Sequence, residues 1–255
     1  MLEELYRNSM AYNTEMASWI VHLRIAEQLM SLIPGLDEEK FALGSVAPDS
    51  GKPDERWENF TPPTRVTHFQ NPDNAQRDCA DLEFYRRYLH PINRTKNRKQ
   101  FSFRLGYFFH LTTDNLWSLR IGRPTMKKYR EQFDADRDFI WEVKKDWYGL
   151  DFIHVRDHKD CIFWRTFCKA KPEQGGLDFL VPESLAWSVR HIQKYYQTSG
   201  EETQALYNRP YIYLSQADAD RFVNEAVERL ERIYKNAGSN ELPVEESSFT
   251  LDLTT

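Results

Sequence analysis

The chain predicts an all-α fold, a single multi-helix domain with long loops, on three observations. Apolar residues recur at intervals of three and four over several long stretches, and strand signals are short and weak. The composition is globular, with 40% hydrophobic, 29% charged and 14% aromatic residues in 255. So many Trp, Tyr and Phe side chains predict an aromatic-rich core.

The first helix is expected over residues 18–33, where Trp19, Leu23, Ala26, Met30 and Ile33 keep helical spacing and Pro34-Gly35 ends the run. His22 lies on that inward stripe. Asp37 suits the N-cap of a short helix reaching Leu43, and residues 44–51 have the make-up of a tight, ordered loop. Residues 51–73 carry four prolines and read as a long irregular connection, a kind of segment that often bears function. Asp73 or Asn74 is expected to open a helix reaching about Tyr88.

Residues 97–119 predict a helix with Phe101, Leu105, Phe108, Leu116 and Leu119 on one side. The other side holds Phe103, Tyr107, His110, Asp114 and Trp117, and a helix apolar on both sides is usually buried, so its polar members belong inside. Further helices are expected at 126–133, 135–148, 182–197 with Pro182 in the first turn, and 216–236. Residues 1–15 read as an N-terminal extension, 16–238 as the helical domain and 239–255 as a loosely held C-terminal tail.

A net charge of -5 and a pI near 5.9 give no electrostatic footprint for duplex nucleic acid, so no stable nucleic-acid complex is expected. The basic cluster Arg94-Thr-Lys-Asn-Arg-Lys99 reads as a solvated turn beside a helix start. No window approaches the ~18 uninterrupted apolar residues of a transmembrane helix. The polar start, with Glu3 and Glu4, does not read as a signal peptide, so none is expected. Three cysteines, Cys79, Cys161 and Cys168, form no tight pair and suggest a reducing, cytoplasmic setting. The sequence leaves the oligomeric state open.

His110-Leu-Thr-Thr-Asp114 is the strongest local signal, because residues four apart on a helix project from one face and can converge on one ion. A neutral imidazole and a carboxylate are ligands that zinc accepts. Alone, such a pair is commonly a buried hydrogen bond. Three more residues extend the set: His22 on the first helix, Asp49 after Pro48 in the Gly-bounded loop, and His68 in Thr67-His68-Phe69. Singly, these would read as a core histidine, a turn residue and a loop residue.

Trp19-Ile-Val-His22-Leu-Arg-Ile-Ala-Glu, Gly44-Ser-Val-Ala-Pro-Asp49-Ser, Thr67-His68-Phe69 and Gly106-Tyr-Phe-Phe-His110-Leu-Thr-Thr-Asp114 occur in the order seen in the zinc-dependent phospholipase C family, which the first half of the chain resembles. The related P1-type nucleases share a similar metal cluster. The resemblance implies a helical metal-dependent hydrolase domain over 16–238, acting on a phosphodiester or phosphoester in a small molecule or lipid head group. It implies one metal site from Asp49, His68, His110 and Asp114, with Asp114 bridging to a second metal also held by His22. Asp49 is the candidate proton acceptor. Zinc is the implied cofactor, as one or two ions, and manganese, iron or nickel fit the same donors.

The chain also departs from the family. Secreted members begin at a tryptophan whose amino terminus ligates zinc, whereas eighteen residues precede Trp19 here, or three if Met16 is the start. The family's third metal site needs a histidine soon after the motif aspartate and a downstream His-x-x-x-Glu. Residues 115–127 contain no histidine, and His154-x-x-x-His158 lacks the glutamate, so that site is not expected.

His154, His158, Cys161 and Cys168 have the residue types of a structural zinc site but no standard spacing, and read as packing around Ile162, Phe163, Trp164 and Phe167. His90 and His191 have no partner pattern. Phosphate loops, dinucleotide turns, nucleophile elbows, His-Glu-x-x-His helices and the His-Asp dipeptide of HD phosphohydrolases are all absent. The alternative to a hydrolase is a metal-stabilised, non-catalytic binding or scaffold protein.

Overall fold

The computed structural model describes residues 16–56, 59–70, 78–136 and 138–238, and helices carry nearly all of their regular structure. The only strands among these residues are a short antiparallel pair, β1 (Lys52–Pro53) and β2 (Phe60–Thr61), so the all-α expectation is borne out. The segments read as an N-terminal extension and a C-terminal tail lie outside the described residues. No helix among those described is long and apolar enough to cross a membrane.

Helices α1 (Trp19–Leu32) and α2 (Glu38–Gly44) fall where apolar periodicity and capping chemistry place them. Asp37 caps α2 by accepting the Lys40 N–H at 3.1 Å. A 3₁₀ turn, Ala47–Asp49, follows, with Pro48 fixing its backbone. Inside the proline-rich connection, Pro63 precedes a single helical turn, α3 (Thr64–Thr67).

The helix expected over 73–88 is much shorter. It begins as α4 (Asp81–Phe84) and widens into a π-helical turn, Tyr85–Leu89, while 71–77 lie outside the described residues. Asn115 explains the late start. Its side chain accepts the Cys79 N–H and donates to the Cys79 carbonyl, both at 2.8 Å, which takes Cys79 out of any helical ladder.

Helix α5 (Arg98–Trp117) runs through the core, buried from Ser102 onward except at Arg104, as its apolar faces predict. Its continuation, Ser118–Gly122, is a π-helical turn that alters the angular step per residue, so Leu119, expected inside, is 45% exposed. The single helix expected at 126–133 is two, α6 (Arg123–Lys128) and α7 (Arg130–Ala135), broken at Tyr129. Helix α8 (Phe139–Asp157) starts later and runs further than the expected 135–148. Gly149 lies inside it, where Tyr211 packs in the place of a side chain, with its hydroxyl 2.7 Å from an ideal Cβ.

The remaining helices are α9 (Ile162–Arg165), α10 (Pro182–Tyr195), α11 (Glu201–Asn208) and α12 (Gln216–Gly238), with a 3₁₀ turn at Phe167–Lys169. Periodicity located α10 and α12. It missed α9 and α11, which are too short to show a full amphipathic repeat. The basic cluster is the exposed turn expected, and it ties down α1, since Arg94 donates to the Pro34 carbonyl and Arg98 to the Leu36 carbonyl.

The α2–α5 crossing sets up the interior. A Cβ at Gly44 would lie 2.0 Å from the Phe103 carbonyl oxygen, and one at Gly106 would lie 2.4 Å from that of Phe41. Two glycines facing each other therefore let the backbones meet more closely than any side chain permits. That approach brings the Ser45 carbonyl within reach of α5.

Candidate metal centre

The buried end of α5 gathers the polar residues of the first half of the chain. His110 and Asp114 project from one face of α5, His22 comes from α1, Asp49 from the 3₁₀ turn, and His68 from the residue after α3. All five singled out from the sequence converge there. Two overlapping groups could hold an ion, His22–His110–Asp114 and Asp49–His68–His110, each with ligand atoms within 4.8 Å of one another.

Local bonds fix the rings. His110 Nδ1 donates to the Ser45 carbonyl at 2.9 Å, so Nε2 carries the lone pair that faces the cluster. His68 Nδ1 lies 3.2 Å from the Thr64 carbonyl, and donating to it likewise turns the lone pair on His68 Nε2 inward. Phe69, next in the chain, holds φ 53, a left-handed backbone that a phenylalanine rarely adopts. Edge contacts with Phe84, Tyr88 and Phe179 at 5.3–6.0 Å lock it there and set the direction in which His68 leaves its turn.

The inward atoms are electron-rich and close. His110 Nε2 lies 3.3 Å from His68 Nε2 and 3.1 Å from Asp114 Oδ2, and His22 Nε2 lies 3.3 Å from Asp114 Oδ1. Asp49 Oδ1 lies 3.4 Å from His68 Nε2 and 4.0 Å from His110 Nε2. His22 Nε2 and Asp114 Oδ2 are nevertheless buried without a hydrogen-bond partner. Lone pairs directed at a shared point, rather than at donors, are held together by a cation. The donor set fits zinc.

The charges point the same way. Burial alone would lower the His110 imidazole, but the Asp114 and Asp49 carboxylates raise it to about 9. Burial alone would likewise raise both carboxyls; the neighbouring histidines hold Asp49 below the ordinary carboxylate range and Asp114 far below it. His22 is lowered by burial and by His110, whose ring stacks on it at 3.7 Å. The cluster is thus a buried negative field that draws a positive charge, either a proton or a metal.

Two further contacts position the donors. The Ala17 N–H donates to Asp114 Oδ1 at 3.0 Å, and the Ser188 hydroxyl of α10 donates to the Asp49 carbonyl at 2.9 Å. Asp151 of α8 takes the Ser18 hydroxyl at 2.7 Å and the Tyr196 hydroxyl at 2.6 Å, which anchors the start of the helix that carries His22. Burial pushes its carboxyl up to about 7. Sequence reasoning missed Asp151, which looks like any polar residue of an amphipathic helix.

The other candidate cluster does not assemble. His154 and His158 stack at 4.3 Å near the end of α8, Cys161 and Cys168 remain free thiols, and no group among the described residues combines them around an ion. His90 is exposed and His191 packs against Trp187 at 4.8 Å, as expected of residues without a partner pattern.

Fold and site together define a helical protein with a buried histidine–carboxylate centre suited to zinc. Residues 21–117 match the family model described as zinc dependent phospholipase C, so this part of the chain is similar to that family, and the donor set supports zinc as the cofactor. The matched segment contains all five converging residues. No curated protein and no solved structure gives a match.

Proposed function

We propose that the chain is a metal-dependent hydrolase of phosphodiester or phosphoester substrates, phospholipase C-like, with Asp49, His68, His110 and Asp114 on one metal and His22 beside Asp114 on a second. The convergence of unpartnered donor atoms on a shared point carries this reading. Bound there, zinc supplies Lewis acidity toward a phosphoryl oxygen and activates water near neutral pH. Ser45 and Thr64 hold the His110 and His68 rings with their lone pairs inward, and Asp114 offers one carboxylate oxygen to each side of the cluster. The Asp49 side chain is 7% exposed against 2% or less for the other four, so it stands nearest the outside and is the candidate proton acceptor. Three free thiols support a reducing, cytoplasmic setting.

The test is elemental analysis of protein purified without added metal, together with metal-dependent activity on a panel of phosphodiesters. At least one tightly held transition metal and turnover of a panel member are expected. No metal, and none taken up on reconstitution, would refute the reading. A loaded centre without turnover would favour a metal-stabilised scaffold.

A further inference from the structure

The basic cluster at residues 94–99 does more than hold α1. Residues 84–113 carry seven of the chain's 34 basic residues and none of its 39 acidic ones, in a chain of net charge -5. Four of the seven, Arg94, Lys96, Arg98 and Lys99, stand exposed within six residues. Arg94 donates to the Pro34 carbonyl and the Tyr234 hydroxyl, and Arg98 to the Leu36 carbonyl at 2.7 Å. Neutral acceptors fix these guanidiniums in place and leave their charge uncompensated. Arg165 and Arg120 are paired instead, with Glu38 at 3.0 Å and Glu225 at 2.9 Å.

The acidic residues beside the anchoring contacts are spent elsewhere. Asp37 caps α2 through the Lys40 N–H at 3.1 Å, Glu38 takes Arg165, and Glu39 takes the Lys40 ammonium at 2.9 Å. On α12, one turn before Tyr234, Glu231 pairs with Lys235 at 2.8 Å. Among the described residues no ion pair reaches any of the four cations. Arg98 and Lys99 also open α5, whose first turn holds no acid, at the end of a helix where peptide dipoles favour negative charge. Folding gains nothing from these two charges there. An apolar side chain stands at the edge of the cluster: Leu32, two residues before the Pro34 that Arg94 holds, is 46% exposed. Residues 91–99 include no aromatic ring on which a base could stack.

We infer that Arg94, Lys96, Arg98 and Lys99, with Leu32 at their edge, form a docking patch for the surface of an anionic phospholipid bilayer. The cations meet the lipid head groups and Leu32 enters the interface beneath them. Charge complementarity selects an anionic partner, and the exposed leucine beside the cations, with no ring for a base, selects a bilayer over a nucleic acid. The rest of the chain is net acidic and is repelled by the same surface, which turns this patch toward it. The patch lies outside the candidate metal centre, and the inference does not rest on the hydrolase reading.

The experiment co-sediments the full chain with vesicles of phosphatidylcholine alone and of phosphatidylcholine mixed with phosphatidylserine, at low and high salt. Wild type is compared with the double variant Lys96→Gln/Lys99→Gln, with Leu32→Ser and with the control Lys127→Gln/Lys128→Gln. The control lysines are exposed on α6, beyond the far end of α5, whose 20 residues span about 30 Å. Wild type is expected to sediment with the mixed vesicles, less as salt rises, and not with phosphatidylcholine alone. Each cation at an anionic leaflet is worth roughly fivefold in binding, so Lys96→Gln/Lys99→Gln should weaken it at least about tenfold and the control less than about twofold. Leu32→Ser should weaken it about threefold or more. No binding to the mixed vesicles, equal binding to both kinds, or an equal loss in the control would overturn the proposal. So would unaltered binding in Lys96→Gln/Lys99→Gln or Leu32→Ser, or tighter binding to duplex DNA than to the mixed vesicles. Metal content measured on the same preparations should not differ among variants, which keeps failure of the patch distinct from failure of the hydrolase reading.

Discussion

His110 and Asp114 stand four residues apart on α5, and His154 and His158 stand four apart at the end of α8, yet among the described residues only the first pair belongs to a group that could hold an ion. Spacing and residue type are alike in the two places. What differs is the company each pair keeps. On α5 a carboxylate lies among the imidazoles, a second arrives from the 3₁₀ turn, and backbone carbonyls fix the tautomers. On α8 the rings stack on each other, and His154 is pushed down to about 3 by burial, Arg24 and His158. The difference teaches that buried negative charge and oriented lone pairs make a candidate metal site; histidines at helical spacing do not.

The sharpest way to break the comparison is Asp114→Asn, which removes a charge and nearly preserves shape. It is expected to abolish phosphodiester hydrolysis and reduce bound metal on the order of 100-fold or more, beyond the loss typical of an outer-sphere partner. The helical circular-dichroism spectrum should stay close to that of wild type. Full metal retention would make Asp114 a structural carboxylate and put α5 on the same footing as α8.

Gly106→Ala tests the backbone side of the contrast, since its methyl group would lie 2.4 Å from the Phe41 carbonyl oxygen and push α2 off α5. Overpacking of this kind costs about 1–3 kcal/mol. Thermal denaturation should register that loss, and metal titration should show weakened affinity as the Ser45 carbonyl draws away from His110. An unchanged metal affinity would mean that the Ser45 bond does not orient the ring.

Asp151 sits one turn before His154 on the same helix and is a buried carboxylate outside the candidate centre. Its carboxyl is raised to about 7 in the fold against about 3.9 in the unfolded chain, so the folded state holds the proton more tightly. Its contribution is fully present below about pH 4 and is lost as pH rises through about 7, up to about 4 kcal/mol at 1.36 kcal/mol per unit. Denaturant titrations across that range should show a shallower pH dependence for Asp151→Asn than for wild type. Equal slopes would show that Asp151 is not protonated in the fold. The smallest effect belongs to Cys161→Ser and Cys168→Ser, which should leave metal stoichiometry unchanged; loss of one equivalent in either would restore the second cluster as a site.

Much of this architecture was legible in the residues because each signal was local. The bounds of α1 and α2 followed from apolar periodicity, Asp37 and Pro34-Gly35, and the burial of His110 and Asp114 followed from apolar residues on both sides of α5. The shortening of α4 was illegible, because it depends on Asn115 seizing Cys79 from 36 residues away. The π turn that exposes Leu119 left no pattern either. Lys144 was hidden for a different reason: a lysine on an amphipathic helix reads as a solvated residue, and only packing shows that it is buried with its ammonium near the Trp141 and Trp147 rings.

The bond from the Ala17 amide to Asp114 joins groups 97 residues apart and lies against the donors themselves. In terms of synthesis, the centre cannot close until nearly half the chain has left the ribosome, because its contacts are long-range ones. Until then His22, Asp49 and His68 are separate side chains on an unfinished chain. Assembly of the candidate centre therefore waits on α5, and a closed cluster certifies that Ala17, α1, the 3₁₀ turn and α5 have all reached their native places.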